Sequence, residues 1–250
     1  MKNLFVHWKL IVVSLIIFLI AGLSSYFYFG YQQQELDKTT QSVQSTAIQA
    51  MEKKEKQQKQ QKQQKNKNST QTTGSNSTDA RQSNEIKISD SKKQPDYIGK
   101  DVKPLTVEAM KKVNAEKVVS TFGAGMIQIP SINMNLPILE GMSQENLSVG
   151  AGTMKPNQEL GKGNFALAGH YMTNAGLLFG GIKNVKKNDP VQVTYKNKTM
   201  NFKVIKIEHI TAEDNQVIFD SEGNGILTLI TCDSSIDGTD GRLMVRCEAV

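Results

Sequence analysis

Ile226-Leu227-Thr228-Leu229-Ile230-Thr231-Cys232 is an apolar, β-branched run that ends on a thiol, and the loop 233–241 follows it at once. Its length and composition predict a buried strand. Alternation places Thr228, Ile230 and Cys232 on one face, so the thiol should open into a cleft at the strand end. Working outward, Arg242 opens the alternating segment Arg242-Leu243-Met244-Val245-Arg246, and His170 closes the run Asn164-Phe165-Ala166-Leu167-Ala168-Gly169-His170. In that run Ala166, Ala168 and His170 share a face, and two alanines leave room for an extended ligand beside the imidazole. A thiol, an imidazole and a guanidinium at three strand ends suit acyl transfer. The thiolate attacks, the imidazole moves the proton, and the planar cationic fork holds the developing oxyanion.

Further short runs are predicted as strands at 126–129, 132–139, 191–195 and 200–210, beside those at 164–170, 226–232 and 242–247. Lys196-Asn197-Lys198 reads as a hairpin turn. A helix is predicted over 106–119, with Thr106 as N-cap, and a short one within 177–185. Many short strands with few helices indicate an all-β barrel or sandwich.

Thr228-Leu229-Ile230-Thr231-Cys232 resembles the TLxTC signature of the sortases, the transpeptidases that anchor proteins to Gram-positive cell walls. Ala168-Gly169-His170 resembles their histidine strand and Arg242-Leu243-Met244-Val245 their arginine strand. Ile129-Pro130-Ser131-Ile132 and Leu136-Pro137-Ile138 resemble their opening strands. The matches run from about residue 125 to 250, in the family's order. The resemblance implies an eight-stranded barrel and the class A, housekeeping type. It also implies catalytic roles for His170, Cys232 and Arg242, and cleavage of an LPxTG-like sorting signal between Thr and Gly through a Cys232 thioester. The acyl group would pass to an amine on a peptidoglycan precursor of the lipid II type. By the same similarity the sorting peptide would lie along Ala168, Thr228 and Ile230, with Val217 and Ile218 receiving its Leu-Pro portion. LPxTG-bearing surface proteins and the precursor amine are the partners so implied.

The chain has 250 residues, and its composition divides it before any fold argument begins. Residues 10–31 carry no charge, and as a helix they would extend roughly 33 Å, enough to cross a hydrocarbon core. Lys2 and Lys9 precede this run and Glu35, Asp37 and Lys38 follow it, which places residues 1–9 in the cytoplasm and the rest outside. A cleaved signal peptide is the competing reading. The long apolar run and the aromatic cluster at 26–29 favour an uncleaved single-pass, type II signal-anchor. Residues 32–97 are rich in Gln, Lys, Ser, Thr and Asn and read as a disordered polar tether, leaving 98–250 as the catalytic domain. The net charge of +6 comes from scattered lysines. No basic patch interleaved with aromatics points to nucleic acid.

Each candidate also has a plainer reading. Cys232 could be a small core residue, His170 a structural histidine and Arg242 a solvated charge at a strand start, with Arg246 as its rival on the same face. Cys247 reads as core, although an extracellular disulfide with Cys232 would be chemically permitted. Histidine before cysteine argues against a papain-like peptidase. Glu140, Glu145, Glu159, Glu213 and Asp214 form no recognisable calcium motif, and neither metal nor other cofactor is expected. The alternative function is a membrane-tethered wall-binding or scaffold module, which would survive alkylation of Cys232 unchanged.

Overall fold

The computed structural model describes residues 2–68, 94–100, 102–221, 223, 225–236 and 238–250. Eight strands close a barrel: β1 (Gly123–Ile129), β2 (Met134–Leu139), β3 (Ala151–Thr153), β4 (Asn164–Ala168), β5 (Pro190–Tyr195), β6 (Lys198–Thr211), β7 (Ile226–Cys232) and β8 (Gly241–Ala249). Their order around the barrel is β1-β2-β3-β4-β7-β8-β6-β5. All the expected runs are present, and the eighth strand is the three-residue β3. It covers only the end of β4. Beyond it the Gln158 side chain takes over, accepting from the Ala166 N–H at 2.7 Å and donating to its carbonyl at 3.0 Å.

Alternation sorts β4, β7 and β8 as expected. Phe165, Leu167, Leu227, Leu229, Leu243, Val245 and Cys247 point into the barrel core. The opposite face carries Ala166, Ala168, Thr228, Ile230, Cys232, Arg242, Met244 and Arg246. The hairpin between β5 and β6 turns on Lys196 and Asn197 alone, since Tyr195 pairs with Lys198. Both turn residues have positive φ, at 47° and 68°, as a type I′ turn requires.

The single helix expected over 106–119 is two helices, α2 (Val107–Lys111) and α3 (Ala115–Phe122). Thr106 caps the first through the Ala109 N–H. Asn114 caps the second through the Lys117 N–H, and this second cap splits the pattern. A further short helix, α4 (Gln144–Val149), precedes β3. Within 177–185 only a 3-10 turn at Ile182–Asn184 forms.

The N-terminal region departs most from expectation. One helix, α1 (Lys2–Asn68), runs through both the apolar run and the first part of the expected tether. Its apolar side chains from Val12 to Tyr31 are exposed, and it is long and apolar enough to cross a membrane. Beyond them Thr40, Ala47 and Met51 are buried, and Leu36, Val43 and Ile48 are partly buried. The tether reading is therefore corrected over this part. Leu36, Thr40, Val43, Ala47 and Met51 recur at helical spacing; Val43, Ala47 and Met51 pack with Ala115, Val119, Met126, Leu139 and Val149, and Leu36 packs against the barrel core. Lys54 Nζ donates to the carbonyls of Val119, Ser120 and Gly123 at 3.0, 3.0 and 2.8 Å, satisfying the open end of α3. The tether residues 69–93 lie outside the described residues.

Candidate active site

β4 and β7 run parallel, with Ala166 beside Thr228 and Ala168 beside Ile230. The Gly169 N–H donates to the Ile230 carbonyl at 3.1 Å and extends the ladder by one step. His170 and Cys232 thus stand two residues beyond the same pair, on the same face of neighbouring strands. On its other side Cys232 is directly opposite Arg242 in the antiparallel β7/β8 ladder. The three residues singled out in the sequence come together at one end of one three-strand surface.

Cys232 is half-buried and free, and Cys247 is a free, buried thiol inside the barrel. The two cysteines lie on opposite faces of their strands, and no disulfide joins them. Burial pushes the Cys247 thiol up to about 12, so it stays protonated.

His170 is 7 % exposed, and burial lowers its imidazole to about 4. It is therefore neutral at neutral pH. Gln144, the first residue of α4, meets it with Nε2 at 3.4 Å from His170 Nε2. The orientation of that amide is fixed elsewhere: Gln144 Oε1 accepts from the Lys103 N–H at 2.8 Å, and Nε2 donates to the Lys103 carbonyl at 3.2 Å. An amide nitrogen facing His170 Nε2 favours the tautomer with its proton on Nδ1. The backbone is held as well, because the Phe179 N–H donates to the His170 carbonyl at 3.1 Å. Gly169 is required beneath that ring, since a Cβ there would lie 2.4 Å from Phe179 Cγ.

Arg242 Nη1 donates to the carbonyls of Thr239 and Gly241 at 2.7 and 2.9 Å. These contacts anchor the guanidinium over the loop leaving Cys232. Among the described residues no acceptor meets its Nε or Nη2, and the residue is half-buried. Arg246 is occupied differently: its Nη2 donates to the Val217 carbonyl at 2.8 Å.

The remaining candidates line the same face at increasing distance from the thiol. Ile230 is buried, Ala168 is partly exposed, and Thr228 is fully buried with its hydroxyl donating to Asn164 Oδ1 at 2.8 Å. Thr228 thus serves packing and anchoring in the free protein. Asn164 Nδ2 in turn donates to the Val217 carbonyl at 2.8 Å and the Phe219 carbonyl at 3.2 Å. Val217 and Ile218, in the 3-10 turn Asn215–Ile218, are both partly exposed. Asn164 and Gln144 were not singled out in the sequence. Each is an amide in an unpatterned position, and only contacts between segments distant in sequence give it a role.

Three of the five carboxylates considered for calcium are engaged with neighbouring side chains or backbone. Glu140 pairs with Lys196 at 2.5 Å and accepts from the Tyr195 hydroxyl at 3.1 Å, and Asp214 accepts from the Thr211 N–H and hydroxyl. Glu159 pairs with Lys162.

Residues 127–250 match the family model of the sortase domain. The chain is 35 % identical over 182 residues to sortase A of Streptococcus agalactiae serotype III (strain NEM316), covering 68 % of this chain and 73 % of that protein. It is 39 % identical over 115 residues to sortase A of Bacillus anthracis, covering 46 % of this chain and 54 % of that protein. It thus spans about half the length of the latter relative. Among solved structures, sortase A of Listeria monocytogenes has 35 % identity and a TM-score of 0.49, covering 51 % of this chain and 87 % of that one. Identity at this level across nearly three quarters of the streptococcal protein, with the domain match over residues 127–250, shows that the chain belongs to the sortase family, of the class A type.

Proposed function

We propose that the chain is a cysteine transpeptidase that cleaves an LPxTG-like sorting signal between Thr and Gly and transfers the acyl part to an amine of a peptidoglycan precursor. The observation that carries this reading is the register that sets His170, Cys232 and Arg242 at one end of β4, β7 and β8. Cys232 Sγ attacks the threonine carbonyl, and the C–N bond to glycine then breaks. The neutral imidazole of His170 accepts the thiol proton and returns it to the departing amine. The Arg242 guanidinium stabilises the oxyanion between these steps. An incoming amine reverses the sequence: it gives its proton to His170, forms the new amide and releases the thiol.

The face behind the thiol suits the length of the signal. From Cys232 back to Thr228 is about 13 Å of strand, roughly the span of four extended residues. A peptide with its threonine carbonyl at Cys232 would reach, with its Leu-Pro end, the turn bearing Val217 and Ile218. On this reading Ala168 and Ile230 flank the peptide and Thr228 underlies it. The apolar run then serves as a type II anchor, with the barrel outside. Incubation with an LPxTG peptide followed by intact-mass analysis tests the reaction. A hydroxylamine-labile adduct on Cys232, truncated after Thr and absent in Cys232→Ala, supports it. An adduct on another residue, or none, refutes it.

A further inference from the structure

Leu178 is a buried core residue whose backbone suits a leucine poorly. Its φ is 43°, in the left-handed region where Cβ crowds the following carbonyl. The other non-glycine residues with positive φ, among those described, are four asparagines and Lys196 of the β5/β6 turn, and asparagine enters this region readily. Leu178 is 2 % exposed and packs in the barrel core with Leu177 and Phe179. Such a conformation persists only where the surroundings dictate it. Here both peptide groups that flank its Cα are held. The Phe179 N–H donates to the His170 carbonyl at 3.1 Å, and the Leu178 N–H donates to Gln44 Oε1 at 2.9 Å. Within the loop, Leu177, Gly180 and Ile182 donate to the carbonyls of Asn174, Leu177 and Phe179, whereas the Leu178 N–H reaches out to α1, 134 residues earlier.

We infer that Gln44 is a positioning residue for His170, so that the docked part of α1 supports the active site: through the left-handed Leu178 it keeps the Phe179 N–H on the His170 carbonyl and the imidazole in place beside Cys232. The role of His170 itself rests on the transpeptidase reading. The two backbone angles of Leu178 alone set one flanking peptide group against the other. With the first pinned to Gln44, the second points at His170. Without that acceptor the buried N–H is unpaired, φ returns to the negative range that a leucine prefers, and the Phe179 N–H turns away from the carbonyl. Gln44 can serve as a fixed point because α1 is itself fixed. Val43, Ala47 and Met51 pack on the barrel side, Lys54 binds the carbonyls of Val119, Ser120 and Gly123, and Asp37 accepts from Asn174 Nδ2 at 3.1 Å in the same loop.

Two substitutions in the full chain, held in detergent micelles, test this. Gln44→Met keeps the length and helical preference of the side chain and removes the acceptor, whereas Gln44→Glu keeps an acceptor in the same place. Gln44→Met should lower kcat on an LPxTG peptide about tenfold with KM and the unfolding midpoint unchanged. Gln44→Glu should stay near the parent. The ring resonances of His170 in histidine-labelled chain, identified by their loss in His170→Asn, should move in Gln44→Met and return in Gln44→Glu. A parental kcat in Gln44→Met, or equal losses in the two variants, overturns the inference. Failure of the parent chain to form a thioester refutes the transpeptidase reading instead, and the His170 resonances then decide the positioning: unmoved signals in Gln44→Met overturn it.

Discussion

Arg246 Nη2 donates to the Val217 carbonyl at 2.8 Å, and the same carbonyl accepts from Asn164 Nδ2 at 2.8 Å. Two strands of the barrel thereby fix the turn proposed to receive the apolar end of the sorting peptide. The two arginines differ in surroundings: Arg242 stands opposite Cys232 in the β7/β8 ladder, and Arg246 holds the turn at Val217.

Substitution should separate these roles. Arg242→Lys loses the planar fork and should lower kcat by about 10² to 10³. Arg246→Ala should raise KM for the peptide about tenfold with a small change in kcat, since one charge-assisted hydrogen bond to the turn is lost. Steady-state kinetics on an LPxTG peptide, with circular dichroism to confirm folding, checks the pair. A kcat defect in the second variant and not in the first would reverse the assignment.

His170 gives stability a pH dependence of definite sign. Its folded value of about 4 lies below the ordinary 6.5, so between these values the unfolded chain binds a proton that the folded chain does not. Stability from this group is fully present above about 6.5 and declines as the pH falls toward 4, by up to about 3 kcal/mol. Urea unfolding at pH 7.5 and pH 4.5 should show a larger loss in the parent than in His170→Asn. Equal losses would contradict the burial of a neutral imidazole.

The two thiols should differ in reactivity. Cys247 is buried and its thiol is pushed up to about 12, whereas Cys232 is half-buried at the strand end. Brief iodoacetamide treatment of the folded chain at neutral pH should add one carbamidomethyl group, at Cys232, and abolish peptide cleavage. Modification of Cys247 under the same conditions would show that the barrel opens readily.

Gly169→Ala would place a methyl group 2.4 Å from Phe179 Cγ, and Phe179 also holds the His170 carbonyl. Overpacking of this kind costs about 1–3 kcal/mol. The displaced backbone should carry His170 with it, so the acylation rate should fall by more than the loss of stability explains. Single-turnover acylation alongside thermal unfolding measures both.

The strands were legible where residues alternate. The run 226–232 and the segment 242–247 gave their core-facing residues correctly, although β7 is buried on both faces from Leu227 to Thr231 and Met244 is buried beside the two partly exposed arginines of β8. The nearness of His170 to Cys232 was not legible in spacing alone, because it depends on a parallel pairing across the intervening β5 and β6. Gln144 and Asn164 escaped notice because an amide finds its partners only in the folded molecule. The docked stripe of α1 was masked for a related reason: five apolar or small positions at helical spacing lie within a tract of glutamines and lysines, whose average composition describes a solvated chain. Thr106 was read correctly as a cap, and Asn114, eight residues on, ended a pattern that looked continuous.

The parallel pairing of β4 with β7 also bears on how the molecule comes to be. The hairpin of β5 and β6 is local in sequence and can form early, whereas β4 and β7 must close a long loop before any hydrogen bond between them compensates for the lost chain entropy. Assembly of the imidazole beside the thiol is therefore a late event on the folding path. A partly folded chain carries Cys232 without His170 or Arg242 beside it, so the arrangement proposed for acyl transfer exists only once the barrel closes.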